Sequence, residues 1–396
     1  MTSPTTATGE VTSEEPVPTA EPATIGVGLV LTAVAWILTR VVVGSVWAGA
    51  RNPLVVLPTV WDRWDSGNYL FIAAHGRNLG QCGSPGYPTL FPQLKGTWCG
   101  HAGWLPGYPW LVHVVHWTGI SLAGAGLLVS WMALAVALYL VWFGWLRALP
   151  ATRALAVLLL LGLFPGAVYN LAIFPTSVAL ACLVGALVAA TRQRFLAGAL
   201  LMTAAGLCYP TAWFAAAGLA VGLVLIALPL GAGQIVRRGL WGVAGLGSLV
   251  VLGVHDQVAL GHANAYLLVQ TGTGLNPTPF PGQIYLPRWG RDLLVFQCIA
   301  SICLGTAAAV VAGLRWLKDR GAAFDLYPAL AGVAVILGLW LFAQDHAGAW
   351  NRSIVLAAPC VVCFRRLPQP VLWVMVAVVG TTTALLSHYF FTTQLI

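Results

Sequence analysis

Charge is what this chain has least of. Only 8% of its 396 residues are Asp, Glu, Lys or Arg, while 59% are hydrophobic, a balance that cannot clothe a water-soluble surface. A soluble helical protein would set a charged face opposite each apolar stripe, whereas stretches such as AVLLLLGLFPGAVYNLAIF, residues 156–174, are apolar all round. Other absences narrow the field. No basic patch with interleaved aromatics occurs, so the net charge of +8 does not point to nucleic acid as a partner. The outer loops hold no glycine-rich phosphate cradle of the P-loop or dinucleotide kind. The first 23 residues lack Lys and Arg altogether, so they are not expected to form a cleavable signal peptide, and their Thr, Pro, Ala and Glu content predicts a disordered tail.

What is present is a series of apolar runs, each roughly 17 to 25 residues and so long enough to span a bilayer. They begin near Ile25 and recur to the C-terminus, about eleven in all, with Trp and Tyr at many of their ends. The chain is expected to be an all-α, multi-pass membrane protein: a tail over 1–23 and a single membrane domain over 24–396, with no internal period that would suggest repeats. With a cytoplasmic N-terminus, eleven of the nineteen cations fall in alternate short loops: Arg147, Arg153, Arg192, Arg194, Arg237, Arg238, Arg315, Lys318, Arg320, Arg365 and Arg366. The positive-inside rule then places the long loops 48–120 and 257–291 outside, with Arg40 at the outer end of the first helix. Anionic headgroups of the bilayer favour the cytoplasmic surplus.

Helix connections usually take about 2 to 8 residues, so the two long loops are where function is expected. The first carries WDRWDSGNYLFIAAHGRN and GHAGWLPGYPWLVHVVHW; the second carries HANAYLLVQTGTG and, later, LPRWGRD. A short third connection supplies His346 and Arg352. Cys82 and Cys99 lie in the first loop among Gly and Pro, and in an oxidising compartment they can close a ring of about 18 residues, worth roughly 3 kcal/mol. The other six cysteines fall in apolar runs and read as small hydrophobes. His113 and His116 stand three apart with His101 upstream, a spacing that could set ligands on one helix face, but the metal reading is the disfavoured one. No metal site is assigned; a divalent cation between Asp62 and Asp65 is the one cofactor these residues could accommodate.

RWDSGNYLFIAAHG, starting at Arg63, resembles the RWD-x-x-x-[FY]-L-x-I-A-x-x-G signature of PIG-V-like proteins, the GPI mannosyltransferase 2 family and its bacterial relatives. GWLPGYPWL, GHANAYLLVQTGTG and WNRSIVLAAP are similar to later segments of that family, in the same order up to Pro359. Thr176 stands where the family tends to have Glu, Tyr209 where an Arg precedes Pro, and Gly107 where a bulky residue is usual. The resemblance implies a GT-C-type glycosyltransferase fold and transfer of a hexose, mannose in the family, from a polyprenyl-phosphate donor to a lipid or glycan acceptor on the extracytoplasmic face of the cell membrane.

The chemistry of such a transfer calls for a carboxylate to take the acceptor's proton while positive charge develops on the sugar ring. Asp65 holds the Asp of the signature and is the expected base, with Asp62 the second candidate. The departing phosphate needs cations and donors: Arg63, Arg288, Arg291, His346 and Arg352 are available, and Gln270 falls in a matching segment. Tyr69, Trp104 and Tyr108 offer rings to a sugar or isoprenoid. The competing reading is a transporter or flippase for a lipid-linked or small polar substrate, disfavoured because its ionisable residues would gather near mid-membrane rather than in loops. A non-catalytic assembly subunit is the third.

Overall fold

The computed structural model describes residues 22–46, 58–63, 65–87, 94–272, 288–319, 324–342 and 347–391. Residues 1–21, most of the expected disordered tail, lie outside them, and the first helix, α1, starts at Pro22 and runs to Gly44. Two short helices follow, α2 (Pro58–Trp61) and α3 (Ser66–His75), then a two-stranded antiparallel ribbon, β1 (Gly80–Gln81) with β2 (Trp98–Cys99), and α4 (Gly107–His116). The bundle continues with α5 (Leu122–Val141), α6 (Ala151–Gly162), the single turn α7 (Val168–Leu171), α8 (Thr176–Thr191), α9 (Phe195–Cys208) and α10 (Thr211–Ala227). Then come α11 (Ala232–Ala244), α12 (Gly247–Leu260), α13 (Ala265–Gly272), α14 (Arg288–Lys318), α15 (Leu326–Phe342) and α16 (Ala347–Ser353). A tighter helical run over Ile354–Phe364 and α17 (Gln369–Phe391) close the order.

The fold is all-α apart from that ribbon, as the composition predicts. Among the described residues six helices are long and apolar enough to cross a membrane, and five shorter apolar helices of 10–17 residues accompany them. The most buried elements are α6, the α7 turn, α8 and the run 354–364, most of whose side chains are sealed from solvent. Around them α1 packs on α5 and α6, α8 on α5 and α9, α10 on α15, and α14 on α15 and the run 354–364. The outward faces stay apolar: Val250, Val254 and Val258 on α12, Leu314 and Leu317 on α14, and Val374 and Val378 on α17 are all exposed. Side chains of this kind over whole helix faces require a hydrocarbon surrounding.

Charges collect at the two ends of the bundle. Asp325, just before α15, accepts from Arg365 at 2.5 Å and from Arg315 at 3.2 Å, so cations that the sequence assigns to one side meet on one carboxylate. The 17 residues of α15 rise about 25 Å from there to Phe342, where the opposite end carries the long loops. Arg40 departs from its expected boundary position. It is buried one turn inside α1, with its guanidinium 3.8 Å from the Trp131 ring and 4.9 Å from Trp36, where cation–π contact takes the place of water.

The first long loop is a folded unit. Cys82 and Cys99 are joined by a disulfide with Cα atoms 5.1 Å apart, beside the paired strands. Gly100 follows with φ +118°, and a Cβ there would meet the carbonyl oxygen of Asn78 at 2.6 Å, so both conformation and space require glycine. The second loop is shorter than the expected 257–291, because α12 extends to Leu260 and α14 begins at Arg288; residues 273–287 lie outside those described.

Replacing Cys82 and Cys99 together by Ser should therefore cost the loop about 3 kcal/mol of local stability. Limited proteolysis in detergent should cut within residues 76–104 on the order of a hundredfold faster; unchanged cleavage would show that packing alone holds the loop.

Candidate functional site

The sequence reading sets Asp62, Arg63 and Asp65 at the outer end of the first helix. They lie instead on the junction between α2 and α3, beyond the end of α1 at Gly44. The junction is tied by its own backbone: Ser66 Oγ accepts from the Arg63 amide at 3.2 Å, and the Asp65 carbonyl accepts from the amides of Asn68 and Tyr69 at 3.0 and 3.2 Å. Asp65 is the N-cap residue of α3, yet its side chain makes no capping bond. The carboxylate turns to Arg352, whose Nη1 donates to its Oδ2 across 287 positions of sequence. The positive end of α3 favours an anion there.

This pair borders a cavity of about 360 Å³. Tyr69 stands on one wall, its ring held edge-on against Tyr108 at 5.7 Å and Phe174 at 5.9 Å. Gly103, Trp104 and Leu105 form a second wall, and Tyr266, Leu267 and Gln270 of α13 a third. The far side is apolar: Trp213 and Phe214 of α10 face Leu339 and Phe342 of α15, with the two Phe rings stacked at 5.5 Å. Phe342 and Leu267 are themselves partly open to the outside, so the cavity continues towards the apolar exterior. Its floor is polar, because the Tyr209 hydroxyl lies 2.9 Å from Ser353 Oγ and beside the Arg352 guanidinium.

Neither partner of the ion pair is sealed: the side chains of Arg352 and Asp65 are 31% and 22% exposed. A substrate can therefore reach both, while the cavity withholds enough water for their charges to act strongly. Two unit charges about 4 Å apart attract by about 4 kcal/mol at an effective dielectric near 20.

Of the residues expected from sequence, Asp65, Tyr69, Trp104, Gln270 and Arg352 line this one cavity. Gln270 Nε2 donates to the Gly103 carbonyl at 2.7 Å, joining two walls. Tyr108 is displaced from its expected place: it is fully buried behind Tyr69, its hydroxyl bonded to the Gly126 carbonyl at 2.9 Å and next to Ser130 Oγ at 3.1 Å. Arg63 is off the wall, with Nε reaching the Val60 carbonyl at 3.4 Å. Asp62 is also off the wall and reaches the surface; partial desolvation raises its carboxyl above the ordinary value, with Arg63 pulling it down. His346 lies outside the described residues, as do the side chains of Arg288 and Arg291 at the start of α14.

The departures from the signature are built in. Thr176 is buried and donates to the Tyr169 carbonyl at 2.9 Å. Gly107 is needed because a Cβ there would press on the backbone of Leu207 at 2.9 Å. Tyr209, noted in the sequence only as a departure, is part of the site. Its neighbour Pro210, where α10 begins, is the one local signal that could have placed it at a helix mouth. Of the two carboxylates named for a divalent cation, only Asp65 borders the cavity, and here it faces the Arg352 guanidinium. Among the described residues no three of His, Cys, Asp or Glu come together as ligands.

No family model and no curated protein matches this sequence. Among solved structures, the oligosaccharyltransferase of Archaeoglobus fulgidus in its apo form is similar with a TM-score of 0.49 and 12% identity, over 93% of this chain and 56% of that one. The oligosaccharyltransferase AglB of the same organism, in complex with an inhibitory peptide and a dolichol-phosphate, is similar with a TM-score of 0.48 and 12% identity, over 93% and 55%. The chain thus spans little more than half the length of these proteins.

Because Asp65 is partly desolvated, removing its partner should cost more than the bond alone. Arg352→Met is expected to destabilise the protein by about 2 kcal/mol, and adding Asp65→Asn should recover part of that loss. Thermal unfolding in detergent reads both; a double variant as unstable as the sum of the two single ones would mean the residues do not interact.

Proposed function

We propose that this chain is a GT-C-type membrane glycosyltransferase that moves a hexose, mannose by its sequence resemblance, from a polyprenyl-phosphate donor to a lipid or glycan acceptor on the extracytoplasmic face. One observation carries the reading: a carboxylate and a guanidinium share the floor of a cavity whose opposite wall is aromatic and continues to the apolar surface of α10 and α15. A polar head alone would not need a wall of this length that runs on through Leu339 and Phe342. An isoprenoid chain lies along it at low cost, with its phosphate at the polar floor.

In this account Arg352 leaves Asp65 for the donor phosphate and meets the charge that builds on its oxygens. Asp65, freed of its partner, accepts the proton of the acceptor hydroxyl. The hydroxyl oxygen bonds to the anomeric carbon from the face opposite the phosphate as the bond from that carbon to the phosphate oxygen breaks, so the configuration inverts. Polyprenyl phosphate departs with the bonding electrons. Tyr209 and Ser353 hold the floor, and Tyr69 and Trp104 present rings to the sugar.

Asp65→Asn should lower transfer from labelled polyprenyl-phosphate mannose in membranes by on the order of 10²–10⁴-fold, the range for loss of a general base, with the protein still present at its normal level. Undiminished transfer would remove Asp65 from the mechanism. Movement of substrate across the membrane with no new glycosidic bond would replace the enzyme by a transporter.

A further inference from the structure

The loop before the cavity wall is fastened by an ion pair that the reaction does not use. Arg77 follows α3 directly, and its guanidinium is shared: Nη1 donates to Asp256 Oδ1 on α12, and Nη2 donates to the carbonyl of Ala102. The side chains are 1% and 0% exposed, and neither residue borders the cavity. His255 Nδ1 also lies 3.1 Å from Asp256 Oδ1, with its ring edge-on to Trp110 at 5.4 Å.

Ala102 sits in a short turn that other groups hold as well. Its amide donates to the Asn78 carbonyl at 2.9 Å, the His101 amide donates to Asn78 Oδ1 at 2.8 Å, and the Gly103 carbonyl takes the Gln270 bond. The two residues that follow, Trp104 and Leu105, are cavity wall. Asp65 and Arg77 flank the same short helix, so α3 connects the proposed base at one end with the fastening of the opposing wall at the other.

Stability does not explain such a pair. Two opposite charges sealed from water attract one another but lose their hydration, and apolar residues of the same volume commonly do as well or better. A guanidinium does offer something an apolar residue cannot: a flat fork of donors in fixed relation. With one arm set by Asp256, the other is aimed at a single acceptor.

We infer that Arg77 and Asp256 are positioning residues: their buried pair aims one guanidinium arm at Ala102 and so sets where Trp104 and Leu105 stand in the cavity. The kinetic part of this inference rests on the transferase reading, and the structural part does not.

Arg77→Lys is the discriminating variant, because an ammonium can still face Asp256 but cannot also reach Ala102 as the fork does. In the full chain in lipid nanodiscs, amide exchange at residues 101–105 should rise about tenfold, with α12 and the thermal midpoint close to wild type. KM for polyprenyl-phosphate mannose should rise about tenfold with kcat within about twofold, as expected when ground state and transition state lose the same contact. Arg77→Met combined with Asp256→Leu, an apolar replacement expected to fold, should show the same exchange and the same KM shift. Unchanged exchange at 101–105 in both variants overturns the inference. So does faster exchange spread evenly through α3, α12 and α13 without a KM-against-kcat split, which would make the pair structural only. If even the wild-type chain transfers no sugar, the transferase reading fails, and the exchange pattern still decides whether Arg77 aims the wall.

Discussion

The contact between Asp65 and Arg352 is the constraint on which the cavity depends. It joins the start of α3 to the end of α16, elements separated by most of the chain, and everything between them must fold so that the two meet. The bundle supplies the framework: α8 and the run 354–364 are buried on nearly all sides, and that rigid centre presents Arg352 at the cavity floor. A charge held this way is only partly reached by water, so its energy depends on what stands opposite. In the resting protein that is a carboxylate; in the proposed reaction it is a phosphate.

The two ends of the bundle use buried charge differently. At one end, Asp325 gathers Arg315 and Arg365 and ties α14, α15 and the run 354–364 together. At the other, pairs of opposite charge surround an open space: Asp65 with Arg352 on its floor, Arg77 with Asp256 behind its wall. Charge that only holds a wall in place can be closed over completely. Charge that serves a substrate must stay partly reachable, and the exposure of Asp65 and Arg352 differs from that of Arg77 and Asp256 in this sense.

Much of the fold was legible because apolar run length is a local property: each candidate span could be read without knowing its neighbours. The disulfide loop was legible for a similar reason, since Cys82 and Cys99 stand near each other among turn residues. Site residues were harder. Asp65, Arg352, Tyr69, Trp104 and Gln270 were named through a family resemblance and are gathered around one cavity, but nothing in periodicity or spacing brings together positions this far apart. Tyr108 was misplaced because an interfacial aromatic and a core aromatic look alike until its hydroxyl is seen bonded to Gly126. Asp256 was overlooked because it stands alone in a helix, and nothing local ties it to Arg77, which lies far away in the first long loop. Tyr209 was seen as a lost charge, when its hydroxyl occupies the place beside Arg352.

The account requires the cavity mouth to face away from the cytoplasm, where a lipid-carried sugar would be met. Gly67 tests this directly: it is exposed next to Asp65, and a side chain there would enter open space. With Gly67→Cys in intact cells, a membrane-impermeant maleimide should label the chain before the membrane is breached. Labelling that appears only after permeabilisation would put Asp65 on the cytosolic side and contradict the account.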